Sequence, residues 1–322
     1  MLATVLGTVA GLGLVTLPAG PAGAAAAACT WQKSVWDLPA GSDQGTIDAY
    51  AGERWAIGVS GNRPWLGGGL SNPHATLWDN GKVALRLDDD VPHLRDVNAS
   101  GLIVGDTVVN DEFVAVTVDH DGTTHTLPGD PAWDGYDAWA VNDRGDIVGW
   151  GGTDLKPQIV VWPASAPGTY RVLPAPGVMH IQDMDNQGRI IAQGTYNVGS
   201  VVWDTDGQWR ELESGGAPYA IRDGRVVGSP DSVNTVAEWT ARGALVRTIG
   251  DGAISAMAIG GNGTVGGNRF VGSQRHAVLW RDGVVSDPLT TVAAGFALQG
   301  LSNDEKTLVG IEAKRPTEYR CS

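Results

Sequence analysis

Three ionisable side chains recur at nearly equal intervals in this chain, and together they could carry out acid–base chemistry. His93, Asp137 and His180 are 44 and 43 residues apart. Two imidazoles beside one carboxylate can transfer protons near neutral pH or bind a divalent metal ion. We therefore predict these three as catalytic residues, and the alternative is a polar rim on a solvated funnel.

Their spacing follows an internal repeat. Its first half reads DVNASGLIVG (96–105) in one copy and AVNDRGDIVG (140–149) in the next. The copies close on a small residue at Gly58, Gly105, Gly149, Ala192, Gly228, Gly266 and Gly310. From Gly58 to Gly310 is 252 residues in six steps, a mean of 42. A period of about 40–45 residues is typical of four-stranded propeller blades.

Each half of the repeat has the pattern of a β-hairpin. Apolar runs flank turns such as Asn80-Gly81, Asp121-Gly122 and Asp206-Gly207, which suit the positive φ of two-residue hairpins. No segment shows a sustained 3.6-residue apolar period, so we predict no helix in the mature chain. The sequence therefore predicts an all-β fold, a single seven-bladed β-propeller of four-stranded blades over residues 29–322.

One tryptophan position recurs in the second hairpin of the repeat. It is occupied by Trp78, Trp162, Trp203, Trp239 and Trp280. Five of the 13 tryptophans in one register predict packing between neighbouring blades, and ligand-stacking platforms are the alternative.

The last copy of the repeat lacks its second hairpin, and the missing piece stands at the other end of the chain. Residues 29–38, CTWQKSVWDL, match it and place Trp31 in the tryptophan position. We expect this N-terminal strand to pair near residues 317–321 and close the last blade. The only two cysteines, Cys29 and Cys321, fall on these two segments, so we predict a disulfide between them.

Residues 1–28 have the composition of a secretory signal peptide, because they are apolar, rich in Gly and Ala, and end in small residues. Export agrees with a structural disulfide, which needs an oxidising compartment. The alternative is a lipid anchor on Cys29, which would leave Cys321 without a partner. We expect a secreted, extracellular protein.

The charge of the chain bears on its partners. With 36 acidic and 22 basic residues, the formal net charge is −14. That balance argues against a nucleic-acid partner. We also expect a monomer without a membrane span and without a cofactor.

The repeat strings A-x-x-[IV]-N-x-x-G-x-[IV]-V-G and H-A-x-L-W-x-x-G resemble those of bacterial extracellular HAF-repeat proteins. The opening of the second string stands here as His74-Ala75-Thr76 and His276-Ala277-Val278, without the Phe. The resemblance covers nearly all of residues 29–322 and implies a propeller fold and export. It implies no particular activity.

Aromatic residues collect in segments expected to lie on one face, which we call the loop-rich face. It is formed by residues 60–73, 88–95, 128–139 and 174–182. Flat amphipathic rings on a concave surface suit sugars, aromatic ligands or a peptide. The predicted ligand-binding residues are Trp65, Arg95, Trp133, Tyr136, Trp139 and Gln182.

The sequence favours a binding or interaction module that acts through the loop-rich face on a small molecule, a glycan or a peptide. The alternative is a propeller enzyme, a lyase, hydrolase or cyclase that a metal could assist, with its site at the mouth of the central channel. Propellers host both kinds of site, so the fold does not choose between them.

Overall fold

The computed structural model describes residues 29–63, 69–87, 93–153, 156–177, 179–194, 199–230, 235–250 and 252–322. Trp65 and the predicted signal peptide over residues 1–28 lie outside these ranges. The described residues form 29 strands and no helix. Accordingly, none of them forms a helix long and apolar enough to cross a membrane.

The strands form seven antiparallel sheets. Strand β1 (Trp31–Val35) belongs to the last of them. Blade 1 holds β2 (Gln44–Gly45), β3 (Ala49–Ala51), β4 (Trp55–Asn62), β5 (Ser71–Asp79) and β6 (Lys82–Leu87). Blade 2 holds β7 (His93–Val97), β8 (Ile103–Val109), β9 (Glu112–Val118) and β10 (Thr124–Thr126). Blade 3 holds β11 (Gly135–Val141), β12 (Ile147–Thr153), β13 (Lys156–Trp162) and β14 (Arg171–Leu173).

The remaining blades follow the same order. Blade 4 holds β15 (Met179–Met184), β16 (Ile190–Gly194), β17 (Val201–Trp203) and β18 (Trp209–Glu211). Blade 5 holds β19 (Ala217–Arg222), β20 (Arg225–Ser229), β21 (Val236–Thr240) and β22 (Leu245–Ile249). Blade 6 holds β23 (Ala253–Ile259), β24 (Val265–Val271), β25 (Gln274–Arg281) and β26 (Val284–Asp287). Blade 7 holds β27 (Ala297–Leu301), β28 (Thr307–Glu312), β29 (Arg315–Cys321) and β1. The predicted seven-bladed propeller is confirmed.

The ring closes through the two ends of the chain. Strand β1 pairs antiparallel with β29, from Trp31 opposite Cys321 to Val35 opposite Thr317. A disulfide joins Cys29 to Cys321, whose Cα atoms are 5.2 Å apart. Both the strand pairing and the disulfide are confirmed. Because the Cys29 sulfur forms this disulfide, a lipid anchor on Cys29 could exist only without the disulfide.

The recurring tryptophans are packing residues, as predicted. All five are buried. In four blades the indole N–H also donates to a backbone carbonyl that follows the outermost strand of the preceding blade: Trp78 to Asp37, Trp162 to Pro128, Trp203 to Pro174 and Trp239 to Glu213. Each ring therefore fills a blade core and fastens it to its neighbour.

A β-bulge interrupts the innermost strand of six blades at one equivalent position. The unpaired residues are Arg95, Trp139, Gln182, Tyr219, Met257 and Gln299. An extra residue breaks the side-chain alternation of a strand and re-aims one side chain. In blade 1 the corresponding residue is Asp48, between β2 and β3.

The bulge explains the glycines that close the repeat. A Cβ atom on Gly105 would lie 1.9 Å from the carbonyl oxygen of His93, and one on Gly149 would lie 1.8 Å from that of Asp137. In blade 6 this role belongs to Gly267 and not to Gly266, because the carbonyl of Ser255 would meet a Cβ on Gly267 at 2.0 Å. The sequence alignment of that copy was therefore wrong by one residue.

Candidate functional site

The bulged residues project into the central channel. We call them the bulge ring: Asp48, Arg95, Trp139, Gln182, Tyr219, Met257 and Gln299. They line a cavity of about 450 Å³, which extends from the bulge towards the turns that follow the innermost strands. His93, Asp137 and His180 are not part of its wall. The backbone geometry repeats from blade to blade while the side chain changes each time, so the fold does not require these particular residues. A position of this kind is free to serve a ligand.

Arg95 is the most firmly held member of the bulge ring. Its Nε donates to Asp106 Oδ1 at 2.8 Å, and its guanidinium carbon lies 4.5 Å from the centre of the Trp139 ring. The Asp106 side chain is 0% exposed and the Arg95 side chain 32% exposed. A buried carboxylate and an aromatic face together fix a guanidinium. The N–H groups that Asp106 does not use remain available to a ligand in the channel.

His93 shares the same carboxylate. Its Nδ1 lies 2.9 Å from Asp106 Oδ2, while 63% of the His93 side chain remains exposed at the beginning of β7. A carboxylate on one ring nitrogen orients an imidazole and leaves the other nitrogen free. His93 thus presents Nε2 towards solvent at the mouth of the channel.

Asp137 lies in the next blade, close to this pair. Burial raises the pKa of its carboxyl to about 6. The charge of Asp106 raises that pKa further, while the Trp150 backbone N–H and the charge of Arg95 oppose the rise. The indole nitrogen of Trp139 is buried nearby and makes no hydrogen bond within the described residues.

The structure thus brings together four of the predicted site residues, His93, Arg95, Asp137 and Trp139. His180 is exposed on β15 in the following blade, and Gln182 belongs to the bulge ring. In the described part of the chain, no group of three His, Cys, Asp or Glu side chains is placed to hold a metal ion. His93, Asp137 and His180 therefore do not form a metal site.

Trp133 and Tyr136 occupy a different environment. Their ring centres are 5.9 Å apart, Trp133 lies 5.1 Å from Tyr170, and Tyr136 lies 6.4 Å from Trp162. The Tyr136 hydroxyl donates to the carbonyl of Leu127. All these contacts are packing within blade 3 or against the end of blade 2, and neither residue lines the channel cavity.

Asp106 is the site residue that the sequence reasoning missed. It stands on the second strand, opposite His93, where blades 3 to 7 carry Trp150, Gln193, Ser229, Asn268 and Ile311. The signal in the sequence is the repeat itself, because Asp106 is the one carboxylate among these equivalent positions of the second strand.

Two further carboxyls lie one residue deeper than the bulge ring. The other blades hold only Ala or Gly there, whereas blades 2 and 4 hold Asp96 and Asp183. Asp96 Oδ2 accepts from the backbone N–H of Val141, and Asp183 Oδ2 from that of Ile221. Burial raises the pKa of Asp96 to about 8 and that of Asp183 to about 6. Each carboxyl also links its blade to the next.

No protein-family model matches the chain, and no curated protein sequence matches it significantly. Solved structures of β-propellers do. The β-propeller domain of Cps50 (Swd1) from Myceliophteria thermophila is 11% identical, with a TM-score of 0.54, over 90% of this chain and 100% of that one. A catalytically inactive variant of virginiamycin B lyase from Staphylococcus aureus, solved with quinupristin, is 10% identical, with a TM-score of 0.55, over 90% and 99%.

The β-propeller domain of the Trilobed protease from Pyrococcus furiosus is 11% identical, with a TM-score of 0.52, over 86% of this chain and 94% of that one. That domain has an open velcro topology, whereas β1 closes the ring here. At these identities the likeness shows the β-propeller fold alone.

Proposed function

We propose that this protein is a secreted bacterial carbohydrate-binding module, and that a glycan enters the channel from the loop-rich face and rests on the bulge ring. The observation that carries the proposal is the ring itself. The same β-bulge recurs around the channel and presents a different side chain in nearly every blade.

The chemistry of the ring suits a sugar. Tyr219 offers an aromatic ring, Trp139 the part of its ring that Arg95 leaves uncovered, and Gln182 and Gln299 offer amide donors and acceptors. Arg95 adds a fixed guanidinium. Sugars combine apolar ring faces with hydroxyl groups, so they are recognised by this mixture of aromatic and bidentate polar side chains.

A glycan array tests the proposal. The mature protein should bind a defined group of glycans, and Trp139→Ala should lose that binding. Trp133→Ala is the matched control, because it removes an aromatic ring in the same blade that packs away from the channel. Binding to no glycan, or equal loss in both variants when both are folded, would refute a glycan site on the ring.

A second candidate function follows from the pair formed by His93 and Asp106. A histidine oriented by a buried carboxylate can act as a general base or acid. Asp137, whose pKa burial raises to about 6, could exchange a proton beside it. The corresponding proposal is an enzyme, a lyase or hydrolase that acts on the bound sugar at the channel mouth.

The two functions differ in what happens to a bound glycan. Mass spectrometry of the glycan after prolonged incubation distinguishes them. An unchanged glycan supports the binding module. Turnover that disappears in His93→Gln but persists in His180→Gln would establish the enzyme.

A further inference from the structure

A second cavity lies between blades 3 and 4, away from the bulge ring. Its volume is about 210 Å³. The turn between β11 and β12 contributes Arg144 and Asp146, and strand β14 contributes Arg171 and Leu173. The hairpin that leads into blade 4's outermost strand contributes Thr205.

At the boundary of blades 3 and 4 the long side chain that reaches across is Arg144, whose guanidinium would lie 3.4 Å from a Cβ on Gly188. At the boundary of blades 2 and 3, Leu102 reaches across and would lie 3.8 Å from a Cβ on Gly145. At the boundary of blades 4 and 5, Arg189 reaches across and would lie 3.2 Å from a Cβ on Gly224. The equivalent residue of blade 3 is Asp146.

Asp146 does not reach across to blade 4, because its carboxylate is held by hydrogen bonds within its own blade. It accepts from Ala164 N at 3.0 Å, Asn142 Nδ2 at 3.2 Å and an Arg144 guanidinium N–H at 2.7 Å. The guanidinium of Arg144, which Asp146 holds, covers Gly188 instead, and the cavity lies beside this ion pair.

Arg171 gives this cavity its charge. It stands on the outermost strand of its blade, in register with His125, Arg210 and Arg247 of the neighbouring blades. Each of those three has an acidic partner: Asp119 at 2.8 Å, Asp206 at 2.6 Å and Glu238 at 3.4 Å respectively. Among the described residues, Arg171 has none.

The two acids in the cavity wall are already neutralised. Asp146 pairs with Arg144, and Asp204 pairs with Arg189 at 3.0 Å. The remaining charge of the wall is the cation of Arg171, in a chain whose net charge is −14. An unpaired guanidinium beside a cavity attracts an oxyanion.

We propose that this cavity binds a small organic anion. Its carboxylate, phosphate or sulfonate group pairs with Arg171, and the rest of the anion occupies the cavity beside Leu173. Ser165 and Thr205 place hydroxyl groups on the same wall, where they can bond the oxyanion. This site is separate from the proposed glycan site and does not depend on it.

Isothermal titration with phenyl phosphate tests the proposal, with benzylamine as the cation of similar size. Phenyl phosphate should bind the mature protein with a Kd at or below about 1 mM. Arg171→Gln should weaken that binding at least about 10-fold, because a charge-assisted bond is lost. Arg210→Gln, which removes the equivalent but paired arginine of blade 4, should leave the affinity unchanged.

A second variant tests the shape of the site. Thr205→Trp places a large ring on an exposed position of the cavity wall and leaves the Arg144–Asp146 ion pair in place, so it should fill the cavity and remove binding. Thermal unfolding reports whether this variant folds, and Arg171→Gln, on an exposed side chain, decides the matter if it does not. No binding of phenyl phosphate by the unmodified protein overturns the proposal. So does equal binding of benzylamine, or an affinity that Arg171→Gln leaves intact.

Discussion

Two regions of the channel use the innermost strands in opposite ways. At the end formed by the turns, one residue type does one task in successive blades: Asn98 Nδ2 donates to Asn142 O at 2.9 Å, and Asn142 Nδ2 donates to Asp185 O at 3.1 Å. Further along the channel, at the bulge, the same strands present varied side chains. The first arrangement holds the blades together, and the second leaves the surface free to vary.

An asparagine can make this link between blades because its amide both accepts and donates hydrogen bonds. Asn142 Oδ1 accepts from the N–H groups of Arg144 and Asp146 in its own turn, while its Nδ2 reaches the next blade. Asp185, which lacks a donor, instead accepts from Gly224 N at 3.0 Å. The hydrogen bond between neighbouring blades is retained, but here the following blade donates it.

The comparison predicts its largest effect at the turn end. Asn142→Ala removes four hydrogen bonds from a buried side chain, so the free energy of unfolding should fall by about 3 kcal/mol. Urea unfolding measures this change. Asn303→Ala, in the equivalent turn of blade 7 but exposed, should cost less than about 0.5 kcal/mol. A similar loss of unfolding free energy at both positions would mean that the hydrogen bonds of Asn142 do not stabilise the ring.

The bulge itself provides a slightly smaller effect. Gly149→Ala would place a Cβ 1.8 Å from the carbonyl oxygen of Asp137, so the strands must separate, and we expect a loss of about 2 kcal/mol. Blade 4 already carries Ala192 at this position, and Ala192→Gly should change stability by no more than about 1 kcal/mol. Thermal unfolding of both variants checks the contrast. A harmless Gly149→Ala would show that the bulge adapts easily.

Much of this scaffold was predictable from the sequence, and the reason is repetition. The period, the tryptophan position and the pair Cys29 and Cys321 each recur or match at a distance, so single residues could be placed without coordinates. The bulge could not be foreseen, because it shifts the side-chain alternation by one residue without a residue type of its own. For that reason Tyr136 and Trp139 were expected to serve together, although Tyr136 packs in blade 3 and Trp139 faces the channel.

Asp96 lies between the two regions of the channel and makes stability depend on pH. Burial raises the pKa of its carboxyl from 3.8 to about 8, and the nearby charges of Asp183 and Asp143 raise it too. The folded protein therefore binds this proton more tightly than the unfolded chain, so stability falls as the pH rises from about 4 to about 8. Asp183 and Asp137, with pKa values of about 6, act in the same direction over the lower part of that range.

Asp96→Asn isolates the upper part of the range. Melting temperatures measured between about pH 6 and pH 8 should decline for the unmodified protein and stay nearly level for the variant. Asp223→Asn is the control, because it removes an exposed acid on the same channel wall whose charge does not act on Asp96. A variant that declines as steeply as the unmodified protein would place the titrating group elsewhere.

Substitutions in the bulge ring should have the smallest effect on stability and the largest effect on ligand binding. The measurement that tests this account most directly is calorimetric titration of Gln182→Leu/Gln299→Leu with the glycan that the array identifies, beside thermal unfolding of the same samples. The variant should unfold within about 0.5 kcal/mol of the unmodified protein and lose its affinity, while Gln274→Leu, exposed on a hairpin of blade 6, retains it. Full affinity in the double variant, or its unfolding, would contradict the claim that the side chains of the bulge ring bind the ligand and are not needed for folding.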